Sequence, residues 1–340
     1  MARPSRPRDP NYLAMLTRRR FLETVGATLL AGPAVIDAQP AEKKARVGWL
    51  QPAQQPSGAY ANFRRAMQEL GYREGENVSF EDRWAGGQFE RLPGLAKELV
   101  QLNVDVIVAI GSGSVQAARA ATATIPIVMG SSVDPVKAGF VSSFNRPGGN
   151  ITGVSILAPE LSGKRLEILK QVLPTVSRVG VLAYRANPGT AAQITAVETI
   201  AAALKVTIQP GYVERPGGYA APFAGFASER VGAVLVLTDT VLSSDRARIV
   251  QTALSHRLPV FFDFRAGADA GGLVSYGVDN LDLYRQTARF VDRILKGAKP
   301  ADLPVEQPTR FELAINLKTA KALGLSIPPS ALLRADHVVD

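Results

Sequence analysis

The feature of this sequence that most constrains its fold is a regular alternation of short, continuously apolar runs with longer amphipathic stretches. Runs such as Val104–Ile110 and Ile125–Met129 are typical of strands buried on both faces of a parallel sheet. Apolar residues at helical spacing between such runs, as in the stripe from Leu281 to Leu295, predict the intervening helices. The alternation runs through two cycles with a break near residues 145–160, so it predicts an α/β fold with two doubly wound parallel-sheet lobes.

Two segments depart from this alternation. Val136–Phe144 is predicted to form a short helix that ends at the Pro147-Gly148-Gly149 sequence. The tail from Lys299 is rich in proline but contains an amphipathic stretch, Phe311–Leu325, so we expect it to pack on a lobe.

The N-terminal segment reads as a targeting sequence. Thr17–Glu23 contains consecutive arginines followed by Phe-Leu, and the apolar stretch Val25–Ile36 comes directly after it. A span of the bilayer needs about 20 apolar residues, which this stretch does not reach. The pattern resembles a twin-arginine export signal with cleavage near Ala38, and it predicts residues 1–38 as a leader, an export translocase as partner and a periplasmic protein. The alternative is a basic arm followed by a chance apolar helix.

Composition excludes several site chemistries. The chain has no Cys, which excludes disulfides, thiolate zinc sites, a thiol nucleophile and a lipid-modified N-terminal Cys. Its only two His residues, His256 and His337, exclude a multi-His metal site, and a Ser-His-Asp triad would need one of them. We therefore expect no metal.

The net charge favours no polyanionic partner. The formal charge is +9, and six arginines lie within the first 38 residues. No run of five basic residues occurs, so an ordinary solvated surface explains the charge and no nucleic-acid partner is expected.

Motifs for cofactors and catalysis are missing or incomplete. The sequence from Gly111 to Gln116 begins like a dinucleotide-binding loop, but Gln116 occupies the position of the third glycine. Neither a phosphate-binding GxxxxGK[ST] loop nor a GxSxG nucleophile elbow occurs. Glu160 and Glu167 lie beside Lys164 and Arg165, which predicts a solvated ion-pair face rather than paired catalytic acids. We therefore expect no cofactor and no enzymatic activity.

Polar residues follow many of the predicted strands. In doubly wound sheets, ligands bind at the carboxyl ends of the strands. The candidate binding residues at these ends are Gln51, Ser112, Ser131, Asp134, Tyr184, Asp239, Asp263 and Tyr276. Hydroxyls and backbone N–H groups suit a carboxylate, Asp suits an ammonium group, and Tyr offers a flat apolar wall. The set fits a small zwitterion or a polar aromatic molecule, although each Ser or Asp alone is equally well explained as a helix cap.

At the level of whole motifs, the chain resembles the substrate-binding proteins of ABC importers that have the type I periplasmic binding protein fold, and specifically the subfamily with tryptophan- and tyrosine-binding members. The resemblance rests on residues 131–155 (SSVDPVKAGFVSSFNRPGGNITGVS), on 178–188 (RVGVLAYRANP) and on the stretch from Gly271 to Leu333. One departure is Tyr184-Arg185, which stands where related chains often have smaller residues before Asn-Pro.

The resemblance implies two lobes with the ligand in the cleft between them. It implies that residues 43–156 plus about 276–300 form lobe 1 and that residues 157–275 form lobe 2, while the lobe of residues 301–340 stays open. It also places the eight strand-end residues at or near the cleft.

The functional prediction is a solute-binding component of an ABC importer. Lobe closure would capture a small organic molecule, amino-acid-like or an aromatic acid, for delivery to membrane permease subunits. Ser112 and Ser131 are predicted to hold a carboxylate, Asp239 or Asp263 an ammonium group, and Tyr184 and Tyr276 the body of the ligand. A monomer is expected. The alternative is a secreted enzyme of the same two-lobed architecture.

Overall fold

Two sheets, each with helices on both faces, form the framework of the protein. The computed structural model describes residues 44–54, 58–132 and 134–340. The predicted leader at residues 1–38 lies outside the described residues. The α/β class with two parallel-sheet lobes is confirmed.

The first sheet has five parallel strands in the order β2-β1-β3-β4-β5. Its strands and the helices between them are β1 (Ala45–Gln51), α1 (Gly58–Glu69), β2 (Val78–Trp84), α2 (Leu92–Gln101), β3 (Val106–Ile110), α3 (Ser112–Ala121), β4 (Ile127–Ser132) and β5 (Ile151–Ser155). A short 3-10 turn, Phe89–Arg91, precedes α2. Alternate residues of a strand point to opposite faces, so Val106 and Val108 enter one core while Ile107 and Ala109 enter the other. This is why the strand reads as continuously apolar.

The second sheet has seven strands in the order β12-β11-β10-β9-β8-β6-β7. Its elements begin with α4 (Ala158–Val172), β6 (Arg178–Tyr184), α5 (Thr190–Leu204), β7 (Thr207–Val213), α6 (Ala220–Ser228), β8 (Ala233–Val236), α7 (Thr240–Ser244) and α8 (Arg246–Ser255). They continue with β9 (Val260–Phe262), α9 (Arg265–Asp269) and β10 (Val274–Val278). Strand β6 again feeds two cores, with Val181 on one face and Leu182 on the other.

The chain then returns to the first sheet before it ends on the second. The returning helix is α10 (Asn280–Leu295), which packs on α1, β4 and β5. After a 3-10 turn at Pro300–Asp302, residues 303–306 run beside β5, where the N–H of Glu306 donates to the Gly153 carbonyl at 3.0 Å. The last elements are β11 (Phe311–Asn316), α11 (Leu317–Leu323), α12 (Pro329–Leu332) and β12 (His337–Val339). Strand β11 pairs antiparallel with β10 of the second sheet. The chain therefore crosses between the sheets three times: after β5, after β10 and before β11.

Two local expectations differ from the structure. Val136–Phe144 forms turns instead of the predicted helix, because the Asp134 carboxylate accepts the N–H groups of Val136 and Lys137 and Gly139 adopts a φ of 68°. Strand β10 of the second sheet extends to Val278, whereas the prediction from the sequence assigned residues from about 276 to lobe 1.

No helix among the described residues is both long and apolar enough to cross a membrane.

Candidate ligand-binding site

A cavity lies between the two sheets, and its interior together with its mouth, which is open to solvent, takes up about 970 Å³. Residues that follow β1, β3 and β4 of the first sheet line one side, and residues that follow β6, β8 and β9 of the second line the other. The position at the carboxyl ends of parallel strands is where doubly wound sheets bind ligands.

Five of the eight residues predicted from the sequence line this cavity: Gln51, Ser112, Ser131, Asp239 and Asp263. The other three, Asp134, Tyr184 and Tyr276, do not. Asp134 instead caps the turn described above and pairs with Lys137 at 3.5 Å. The Tyr276 ring stacks on Phe311, with ring centroids 6.2 Å apart.

The first-lobe side presents backbone and hydroxyl donors. Gly111, Ser112 and Gly113 line the cavity at the N-terminus of α3, which is the positive end of the helix dipole. Ser131 lies beside them with a φ of 61°, a left-handed conformation that is uncommon for serine and is concentrated at functional sites. This side therefore suits an anionic group.

The second-lobe side carries two buried carboxylates in different bonding states. Asp239, 5% exposed, caps α7: its Oδ1 accepts the N–H groups of Val241 and Leu242 at 2.7 and 3.0 Å, and its Oδ2 accepts Asn187 Nδ2 at 2.7 Å. Burial raises the pKa of Asp239, and these three hydrogen bonds oppose that effect. Most of the acceptor capacity of Asp239 is therefore used within the second lobe.

Asp263 is bonded more weakly, by the Ser243 hydroxyl and a backbone N–H. It is 3% exposed, and the only side chain of the described residues that bonds its carboxylate is Ser243, whose Oγ lies 3.4 Å from each oxygen. Burial raises its pKa from 3.8 to about 6, even though the positive charge of Arg165 draws it down. A buried carboxylate that lines a cavity with unused acceptor capacity is suited to a cationic group on a ligand.

Arg165 is buried, whereas its charged neighbours in the sequence predicted that it lies on a solvated face. It is 1% exposed, and its guanidinium donates to the Tyr276 carbonyl at 2.9 Å and to Thr238 Oγ1 at 2.8 Å. It forms no ion pair with any described carboxylate, and burial lowers its pKa while Asp263 raises it. The predicted ion-pair face does exist one residue earlier, where Lys164 bonds Glu167 at 2.7 Å.

The aromatic surface of the cavity comes from residues that sequence reasoning missed. Phe89, Phe262, Phe264 and Tyr284 line it. Tyr284 is 3% exposed, and its hydroxyl has no hydrogen-bond partner among the described residues. Tyr284 belongs to the apolar stripe of α10, which from sequence reads as core, and only the return of α10 to the first lobe brings its hydroxyl to the cavity.

Two further observations concern the chemistry of the cavity. The Oγ1 of Thr240, which lines it, is buried without a partner among the described residues. Across residues 44–54, 58–132 and 134–340, no group of three His, Asp or Glu side chains is arranged to hold a metal ion. The cavity thus combines donors on one side, a weakly bonded carboxylate on the other and aromatic walls between them.

This combination of two α/β lobes, three crossovers and an interlobe cavity defines the class of periplasmic binding protein type I-like structures. The profile of the family described as ABC transporter substrate binding protein matches residues 52–339. The chain therefore belongs to the ABC transporter substrate binding protein family, and the resemblance inferred from its motifs is confirmed.

Individual relatives agree with this assignment. A tyrosine-binding protein of Clostridioides difficile is 28% identical over 290 residues, which are 84% of this chain and 82% of that protein. A Streptococcus pneumoniae ABC domain solved in complex with L-Trp is 29% identical with a TM-score of 0.79, over 87% of this chain and 100% of that one. A conserved domain protein of Vibrio cholerae has 29% identity and a TM-score of 0.80 over the same shares.

Proposed function

We propose that this protein is the exported receptor of an ABC importer and that it captures an amino acid with an aromatic or large apolar side chain. The observation that carries the proposal is the pairing, in one interlobe cavity, of the α3 N-terminus with the under-bonded carboxylate of Asp263. The two features offer opposite charges to the two ends of one zwitterion. The ligands named for the relatives, tyrosine and L-Trp, have this chemistry.

Each part of the ligand has a proposed partner. Ser112, Ser131 and the N–H groups at the start of α3 hold the carboxylate, because a buried anion needs several donors. Of the two carboxylates that the sequence left as alternatives, Asp263 takes the ammonium group, because Asp239 already accepts three hydrogen bonds of 2.7–3.0 Å, whereas the Ser243 hydroxyl lies 3.4 Å from each Asp263 oxygen. Phe89 and Phe264 flank the ligand body in place of the predicted Tyr184 and Tyr276.

The proposed mechanism is capture by lobe closure. The donors at the start of α3 belong to the first lobe and the acceptor Asp263 belongs to the second. A zwitterion that binds both groups therefore stabilises the closed arrangement of the lobes. The closed complex then delivers the ligand to the permease. This role needs no chemical step and no cofactor. Export through the twin-arginine route places the protein in the periplasm, with the leader removed near Ala38.

A thermal-shift screen of residues 39–340 tests the proposal. The panel contains the amino acids together with phenylpropanoate, 3-(4-hydroxyphenyl)propanoate and indole-3-propanoate, which lack the amine. An amino acid present at 100 times its Kd stabilises the fold by about 2.7 kcal/mol. Stabilisation by an aromatic amino acid and not by its amine-free analogue supports the proposal. Stabilisation by the amine-free acids alone contradicts the role of Asp263, and a flat response across the panel contradicts the ligand class.

A further inference from the structure

Tyr184 joins the two lobes without lining the cavity. It is the last residue of β6 in the second sheet and is 1% exposed. Its hydroxyl donates to the carbonyl of Gly87, which follows β2 in the first sheet, at 2.7 Å. The buried Tyr184 hydroxyl thus donates its hydrogen bond to the opposite lobe.

The ring of Tyr184 also holds a cavity residue in place. Its centroid lies 5.7 Å from that of Phe89, with the planes 30° apart. In the first lobe, a Cβ on Gly113 would lie 2.8 Å from the Phe89 ring. Phe89 is therefore packed between Tyr184 of the second lobe and the start of α3 in the first, and it lines the cavity from that position.

The backbone at Gly87 is fitted to the same contact. Gly87 has a φ of 81°, and a Cβ there would lie 2.2 Å from Cγ of Pro216 in the second lobe. Its neighbour Gly86 also has a positive φ, 68°, but a Cβ there would meet only the Arg91 guanidinium of its own lobe, at 3.4 Å. Only Gly87 needs to be glycine for the lobes to approach.

We propose that Tyr184 is a positioning residue that latches the lobes together through Gly87 and Phe89, and so sets ligand affinity and residence time without touching the ligand. The inference rests on the proposed function, since it assigns Tyr184 to the closed state of the same site. When the lobes separate, water molecules bond the Tyr184 hydroxyl and the Gly87 carbonyl instead. The bond between these two groups therefore stabilises only the closed arrangement of the lobes. Burial raises the pKa of the Tyr184 hydroxyl to about 12, so it remains a donor at physiological pH.

The first test compares two tyrosine hydroxyls. Tyr184→Phe keeps the ring and removes the interlobe bond, and leaving the Gly87 carbonyl unpaired on closure raises the ligand Kd about tenfold, mostly through faster release. The matched control is Tyr219→Phe, which removes a bond of the same length, 2.7 Å to Asp245, within the second lobe. It lowers the melting temperature and leaves the Kd within twofold. Titration calorimetry with L-tryptophan or L-tyrosine gives the Kd, and stopped-flow measurements with the same ligands give the release rate. An unchanged Kd in Tyr184→Phe overturns the latch.

The second test needs no ligand. Because the chain has no Cys, Lys97→Cys and Ala247→Cys introduce a unique pair of exposed labelling sites, one on each lobe. Spin-label distances in the unliganded protein shift to longer values with Tyr184→Phe. Gly87→Ala produces the same shift, whereas Gly86→Ala, which also places an alanine at a positive φ, does not.

Distance distributions that Tyr184→Phe and Gly87→Ala leave unchanged overturn the latch. If the wild-type protein binds none of the amino acids, the proposed function fails, and the distance measurement still decides the latch.

Discussion

Replacing Asp263 by Asn is expected to make the unliganded protein more stable while weakening ligand binding. Burial raises the Asp263 pKa from 3.8 to about 6, so the folded protein holds this proton to a higher pH than the unfolded chain does. The contribution of this group to stability therefore falls as the pH rises from about 4 to about 6. Two pKa units correspond to about 3 kcal/mol. Asn resembles the protonated form, so at pH 7.5 Asp263→Asn raises the free energy of unfolding by up to about 3 kcal/mol.

The effect on binding has the opposite sign. Without the carboxylate, the ammonium group of the ligand is buried without its charged partner, which costs about 2–5 kcal/mol. The lower end of that range raises the Kd about 30-fold. In the wild-type protein the same logic predicts that affinity falls about tenfold per pH unit once the pH drops below about 6, because the proton and the ammonium group compete for one carboxylate.

The assay pairs denaturant unfolding with titration calorimetry between pH 5 and 8. Asp239→Asn is the matched control, since it also removes a buried carboxylate but keeps an oxygen to cap α7. It is expected to change the Kd less than threefold. An Asp263→Asn protein that is less stable than wild type at pH 7.5 and binds with unchanged affinity would refute the reasoning on both counts.

The remaining predictions concern export and backbone packing. Changing Arg18 and Arg19 to Lys traps the precursor in the cytoplasm, because a twin-arginine translocase reads the guanidinium pair; unchanged periplasmic levels on immunoblots point to the general secretory route. Gly277→Ala places a Cβ 1.8 Å from the Asp263 carbonyl, so it lowers the free energy of unfolding by about 1–3 kcal/mol or more and weakens binding. Its control, Gly225→Ala in helix α6, meets nothing within 4 Å and stabilises by about 0.5–1 kcal/mol; equal effects of the two substitutions on chemical denaturation contradict the packing argument.

The two sheets could be predicted from the sequence because strands that are buried on both faces are continuously apolar, and this pattern is local in the chain. The run Val104–Ile110 predicted a strand that the structure places at Val106–Ile110. Parallel topology then brings strand ends to one edge, which is why the sequence could predict Gln51, Ser112 and Asp263, three residues that line the cavity.

What the sequence could not supply depends on contacts between distant segments. Nothing local distinguishes Asp239, which caps a helix, from Asp263, which does not, since both follow apolar strands. Arg165 sits among charged neighbours at helical spacing, and only the packing of α4 beneath β10 buries it. Tyr184 occupies a strand end as predicted, but its hydroxyl turns to the opposite lobe rather than to the cavity.

The most direct test of the central claim is a crystal structure of the protein grown with L-tryptophan or L-tyrosine. We expect the ligand in the interlobe cavity, with its ammonium nitrogen within about 3.2 Å of an Asp263 oxygen and its carboxylate at the first turn of α3 beside Ser112. A ligand with the reverse orientation, or one whose amine contacts Asp239 while Asp263 stays unpaired, would contradict it.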